Sequence, residues 1–232
     1  VQRVGETPPF LLDFLSLFRY NKYVKERVVR MKSFGEFEQE SLDHTLFIFD
    51  IDDTLFKTNA RVFVKDPSGK VIDRLNNQDF NTHTLLPGQS YEFSEFENAS
   101  MFDMTSRPIK AMLDKVKHLQ KKIEGTDSLI TFITGRSDFD DKEKFLNVFR
   151  KRKIDIDKIH VHRVGNDRGP ETLAVKKAKV TTMYLATGKY KTAEMYDDSK
   201  ENLEEFKSLQ SSFPDVSFSA FQVFHNGTSK HL

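Results

Sequence analysis

The sequence predicts an α/β fold: a Rossmann-like parallel sheet with helices on both faces, a small β-flap or cap inserted after the first strand, and an N-terminal helical extension. Three observations carry this. Short apolar runs alternate with amphipathic stretches, the pattern of consecutive βαβ units. One run, Leu46-Phe47-Ile48-Phe49, passes straight into Asp50-Ile51-Asp52-Asp53-Thr54, which reads as a strand buried on both faces with acids at its carboxyl end. Between about 56 and 105 the apolar periodicity lapses into Asn, Gln, Thr and Ser, which marks an insertion. The expected division is an extension over 1–43 and a main domain over 44–232, with the insertion at 56–105.

Composition narrows the function classes. The 232 residues carry 36 Lys and Arg against 35 Asp and Glu, so net charge gives no general argument for nucleic acid or membrane. Twenty-two Phe and no Trp make Phe the expected core filler. With no Cys, disulfides, thiolate metal sites and Cys nucleophiles are excluded. That suits a reducing compartment, and a cytoplasmic location is expected. No apolar run approaches the roughly 18 residues of a membrane helix.

The elements follow in order. Pro8-Pro9 opens a helix over Phe10 to Phe18, apolar enough to need a partner: the domain core in the plainer reading, a protein partner in the other. No basic region precedes it and no small-residue cleavage site follows, so it does not read as a signal peptide. The first residue is Val, so a natural start is expected to have been removed or omitted. The basic stretch Arg19 to Lys32 reads as a solvated helical face. After the Asp50 strand, Arg61 to Val64, the turn Asp66-Pro67-Ser68-Gly69 and Val71-Ile72 form a hairpin. Pro108 opens a helix bearing Ile109, Met112, Leu113, Val116 and Leu119. Ser128 to Thr134 is a second buried strand, and Asp140 to Lys151 a helix. Ile159 to Val164 is a third strand, whose His160 and His162 read as strand residues for want of a third metal ligand. Pro170 opens a helix with Lys176, Lys177 and Lys179. Ala193 to Tyr196 is a strand ending in Asp197-Asp198. A helix with Leu203 and Phe206 precedes a fifth strand, Val216 to Val223, and the tail His225 to Leu232 is expected to be loose.

Asp50 and Asp52 share one face of the strand period. One carboxylate can attack while the other handles protons. Such acids at a buried strand end need compensation, for which a cation and a phosphate are suited. The plainer reading is an Asp-rich loop after a core strand.

Acidic or hydroxyl residues thus fall at three strand ends, Asp50/Asp52, Thr134 and Asp197/Asp198, with a lysine on the helix before the last. This set, over about residues 44 to 224, resembles the haloacid dehalogenase-like superfamily of aspartate-nucleophile phosphotransferases. Asp50-x-Asp52-x-Thr54 resembles its first motif, Ile130 to Thr134 the second, Lys176 the third and Asp197-Asp198 the fourth, with Lys177 and Lys179 as alternatives for the third. The resemblance implies a Mg²⁺-dependent phosphatase in which Asp50 forms an aspartyl-phosphate and Asp52 moves protons. It implies Mg²⁺ on Asp50, Asp198 and the Asp52 carbonyl. Thr134 would bind phosphate, Lys176 would neutralise it and hold Asp197, and Thr54 would support the loop. Asp52 argues for phosphoryl transfer over dehalogenation. A phosphomutase, or a non-catalytic scaffold of the same fold, is the alternative. Phe132 to Ser137 and Met195 to Ser199 are similar to the phosphatase domains of nucleic-acid end-repair enzymes. On that likeness Arg136, Arg163, Arg168 and the Lys176 cluster would face a nucleotide or nucleic-acid end; the plainer reading is that these cations are scattered and solvated.

Overall fold

The structure, a computed structural model, describes residues 42–232, apart from the side chains at 77, 78 and 81. The expectations for Phe10 to Phe18 and for Arg19 to Lys32 fall outside those residues.

The central sheet starts with β1 (Thr45–Phe49). The insertion then contributes β2 (Phe56–Lys57), β3 (Val62–Lys65), β4 (Val71–Leu75), α1 (Asn77–Thr82), β5 (Ser90–Glu92), α2 (Ser94–Glu97), α3 (Ala99–Thr105) and β6 (Arg107–Pro108). There follow α4 (Lys110–Lys122), β7 (Leu129–Thr134), α5 (Lys142–Arg150), β8 (His160–Arg163), α6 (Leu173–Leu185), β9 (Thr192–Asp197), α7 (Lys200–Ser208), β10 (Ser217–Val223) and β11 (Ser229–His231). Six strands form one sheet in the order β11-β10-β9-β1-β7-β8. All its neighbours are parallel except β10 and β11. Among the described residues no helix is long and apolar enough to cross a membrane.

Every residue of β1 is buried, as expected for a strand covered on both faces. Its side chains alternate between two cores. Phe47 and Phe49 pack with Met112 and Val116 of α4 and Phe145 and Phe149 of α5. Leu46 and Ile48 pack with Leu185 of α6 and Leu203 and Phe206 of α7. Burial of each such side chain contributes roughly 1.5–3 kcal/mol, so β1 is the best-anchored strand of the sheet. Register then fixes the site. Phe49 lies opposite Phe132 of β7 and Tyr196 of β9, and Asp50 N–H donates to the Tyr196 carbonyl at 3.0 Å. The rings of Phe49, Tyr196 and Phe221 form one stack with centroids 4.7 Å apart at each step. One residue further on, the chain presents its acids.

The insertion leaves and returns through the short antiparallel pair β2–β6. Inside it, β4-β3-β5 is an antiparallel sheet over a small core of Ala60, Val62, Val64, Leu75 and Phe96. Two expectations are corrected. Pro108 lies in β6 opposite Phe56, and the helix begins at Lys110, because Ile109 N–H is bonded to the Leu55 carbonyl at 2.9 Å. The tail is not loose: β11 pairs along the sheet edge with Phe221 to Val223. Its polar Ser-Lys-His sequence suits an edge that faces water.

Candidate active site

Asp50 sits at the end of β1 and is 4% exposed. Its Oδ1 accepts from Lys177 Nζ at 2.7 Å, and the same nitrogen donates to Asp197 Oδ2 at 2.7 Å. Lys177 therefore bridges the ends of β1 and β9. Lys176, expected in that place from its distance to the helix start, points elsewhere. Its Nζ donates to the carbonyls of Asp167 and Gly169 at 2.6 and 3.0 Å and so fixes the loop before α6. The reason is helix rotation. Thr172 caps α6, and Ala174, Lys177, Ala178, Thr181 and Leu185 share its buried side at i, i+3/i+4 spacing. Lys176, buried as well, lies one step round and meets that loop instead of Asp50. Lys179 is exposed and paired with Glu171.

Asp197 is fully engaged. Besides Lys177 it accepts from Ser199 N–H at 2.9 Å and from the Asn202 amide at 2.9 and 3.0 Å. Asn202, on the first turn of α7, escaped the sequence reading. Its only signal is a position one turn beyond Asp198. Asp50, Asp197 and Asp198 bring carboxylate oxygens within 4.8 Å of one another and could hold a metal ion. Since the Asp197 oxygens are occupied, Asp50 and Asp198 are the better placed ligands.

Asp52 is gripped separately. Arg136 is 2% exposed, and its Nε and Nη2 donate to Asp52 Oδ2 and Oδ1 at 2.8 and 2.7 Å. The remaining Nη1 donates to the Phe96 carbonyl at 2.6 Å. The guanidinium carbon lies 4.7 to 5.4 Å from the ring centres of Phe96, Phe102 and Phe139. A planar fork on a carboxylate with aromatic walls is a role Lys could not fill. Thr134, fully buried, accepts from Arg136 N–H at 3.2 Å and lies 3.5 Å from Asp52 Oδ2. The turn after it depends on Gly165, where a Cβ would stand 2.3 Å from the Gly135 carbonyl oxygen. No other residue allows the two loops to approach so closely.

Thr54 is buried, and its hydroxyl has no hydrogen-bond partner among the described residues. Asp53 has a φ of 58°, a conformation that favours Gly, and its carboxylate meets His225 at 3.1 Å.

Five carboxylates, Asp50, Asp52, Asp53, Asp197 and Asp198, outnumber the three buried cations near them, Lys176, Lys177 and Arg136, which leaves an excess of negative charge. Burial, with the neighbouring Asp197 and Asp52, pushes the Asp50 carboxyl up to about 8 despite Lys177. Burial, then Asp197 and Asp50, raises Asp198 well above the ordinary carboxylate range. Burial pulls the Lys177 ammonium down, but Asp197 and Asp50 more than offset it and leave it raised. A divalent cation at Asp50 and Asp198 fits this imbalance in charge and in its oxygen donors.

These residues open onto a cleft of about 1100 Å³, walled on one side by Asp50, Asp52, Lys177 and Asp198 and on the other by the insertion. Of the arginines expected near a nucleic acid, Arg168 is exposed in this cleft. Arg136 is committed to Asp52, and Arg163 lies outside the lining, 2.7 Å from Asp138. His160 and His162 both bond the Tyr184 hydroxyl, at 2.9 and 2.7 Å, on the outer strand. Comparison of the chain with protein-family models and with curated proteins gives no match.

Proposed function

We propose that this chain is a Mg²⁺-dependent phosphatase of the haloacid dehalogenase-like type, acting on phosphomonoesters through an aspartyl-phosphate. The observation that carries the reading is Lys177, bonded at once to Asp50 and Asp197 at the ends of two parallel strands. A cation so placed offsets repulsion between an attacking carboxylate and a phosphate, and it fixes the angle of attack.

Asp50 forms a bond to phosphorus as the bond from phosphorus to the leaving oxygen breaks. Asp52 supplies a proton to that oxygen, then takes one from the water that attacks the aspartyl-phosphate, and Asp50 departs as a carboxylate. Arg136 bonds both Asp52 oxygens, each of which keeps a further lone pair for the leaving oxygen or the water. The pair orients Asp52 toward the reacting oxygen. Thr134, turned to Asp52 and the Arg136 N–H, fixes the turn whose Gly135 and Ser137 line the cleft where the phosphate would lie. Asp50 and Asp198, with the Asp52 carbonyl, would hold Mg²⁺, which would take up charge developing on the phosphoryl group. The insertion acts as a flap over the cleft, whose volume of about 1100 Å³ suits a nucleotide or a nucleic-acid end.

The test is hydrolysis of an aryl phosphate with and without Mg²⁺, beside Asp50→Asn and Asp52→Asn. The wild type is expected to be active only with the metal. Asp50→Asn should lose activity by at least about a thousandfold, since an amide replaces the nucleophile. Equal rates in all three proteins would sink the proposal.

A further inference from the structure

The flap faces the cleft with an aromatic wall that the phosphoryl chemistry does not use. Phe80 of α1, Tyr91 of β5 and Phe93 just beyond it line the same cavity as Asp50. Phe80 meets Tyr91 edge-on at 4.9 Å and Phe93 edge-on at 5.5 Å, while Tyr91 and Phe93 are tilted at 6.1 Å. The Tyr91 hydroxyl is anchored, donating to the His83 carbonyl at 2.9 Å and meeting His83 Nδ1 at 2.9 Å. Phe80 and Tyr91 thus brace Phe93, yet neither stacks on it face to face. Phe93 remains 39% exposed. A large apolar ring, braced at right angles and left open to a cleft, is a surface for another flat ring.

We propose that Phe93, backed by Tyr91 and Phe80, stacks the nucleobase of a nucleotide whose phosphate lies at Asp50. This rests on the phosphatase reading for the place of the phosphate and adds the group that selects the substrate. A cavity of about 1100 Å³ lies just above the range of pockets that enclose small organic ligands, roughly 300–1,000 Å³. It far exceeds what a bare phosphate needs. Stacking is tolerant of base identity, because every base has a π-face. Sugar phosphates have no such face and gain nothing from the wall.

Binding is the test, read without turnover in the Asp50→Asn protein with Mg²⁺. Calorimetry would compare adenosine monophosphate, thymidine monophosphate and glycerol phosphate. Both nucleotides should bind about tenfold or more tighter than glycerol phosphate, the usual scale of one aromatic–base stack. Phe93→Ala should remove most of that preference, and Phe93→Trp should keep it, which separates a lost ring from a misfolded flap. Leu86→Ala, at an exposed side chain of the flap outside the cleft lining, should leave the preference intact. No preference in the parent, or one that survives Phe93→Ala, overturns the proposal. Aryl phosphate turnover judges the chemistry separately. Hydrolysis without base preference removes the stacking alone, and base preference without hydrolysis removes the phosphatase alone.

Discussion

The acid end of the sheet and the flap are built in opposite ways. At the acid end, β1 is buried throughout, and three charged side chains are each tied to several partners: Lys177 to two carboxylates, Asp197 to three groups, Arg136 to Asp52 and Phe96. In the flap, four of the five residues of β4 are exposed, and the core is a handful of side chains. Stability follows buried area, so the first region tolerates strain and uncompensated charge that the second could not carry. On the proposed reading, chemistry falls where atoms are over-determined, and selectivity where they are not.

The largest effect should come from breaking the lysine bridge. Lys177→Ala leaves Asp50 and Asp197 buried without their cation. Removing one partner of a buried pair typically costs about 3–5 kcal/mol, and aryl phosphate turnover should fall by at least about a hundredfold with it. Lys176→Ala, one residue away, should keep the bridge and most of the turnover. Similar losses in the two variants, by urea denaturation and by rate, would show that Lys177 has no special place.

Next in size is a packing contrast. Phe149→Ala in the main core should cost about 3–5 kcal/mol. Val64→Ala under the flap removes two methyl groups, for about 1.5 kcal/mol. Equal shifts in the urea midpoint would contradict the difference drawn between the two regions.

Gly165→Ala tests the loop contact on the acid side. A methyl group there must push back the Gly135 carbonyl, at an overpacking cost of roughly 1–3 kcal/mol. The displaced turn carries Thr134 and Arg136, so the rate should fall more than stability alone explains. An active enzyme of unchanged melting temperature would show that the contact is slack.

The pH response is smaller and sharpens the account of charge. The Asp50 carboxyl is raised from 3.8 to about 8 by burial and by Asp197 and Asp52. Between those values the folded chain holds a proton that the unfolded chain has lost. Stability from this group should therefore be greatest below about pH 4, decline as pH rises, and be exhausted above about 8. Metal binding must displace the proton. Mg²⁺ should thus raise the melting temperature more at pH 8 than at pH 6, and an equal rise at both would count against a protonated Asp50.

Much of the fold and the acid set was legible in the sequence, for a physical reason. Leu46 to Phe49 must be buried, and the acids that follow must emerge at a strand end. Asp50, Asp52, Thr134, Asp197 and Asp198 could be placed by that logic alone. Lys177 could not be told from Lys176, because one residue is about a hundred degrees of helix rotation and the orientation of α6 is set by packing. Asn202 was hidden because its partner is a residue of another element. Phe80, Tyr91 and Phe93 carry no period of their own and meet only through the flap sheet. The strand in the tail was missed because an edge strand of Ser, Lys and His has no apolar face to reveal it.

The central claim is that Asp50 is the group that takes the phosphoryl. Rapid-quench mass spectrometry on Asp52→Asn, mixed with an aryl phosphate and Mg²⁺, tests it most directly, because losing the base slows breakdown of the intermediate. The account predicts one phosphoryl group on the peptide that contains Asp50, and none when Asp50→Asn is added. Phosphoryl on another residue, or turnover with no phosphoryl-enzyme at any time, would contradict it.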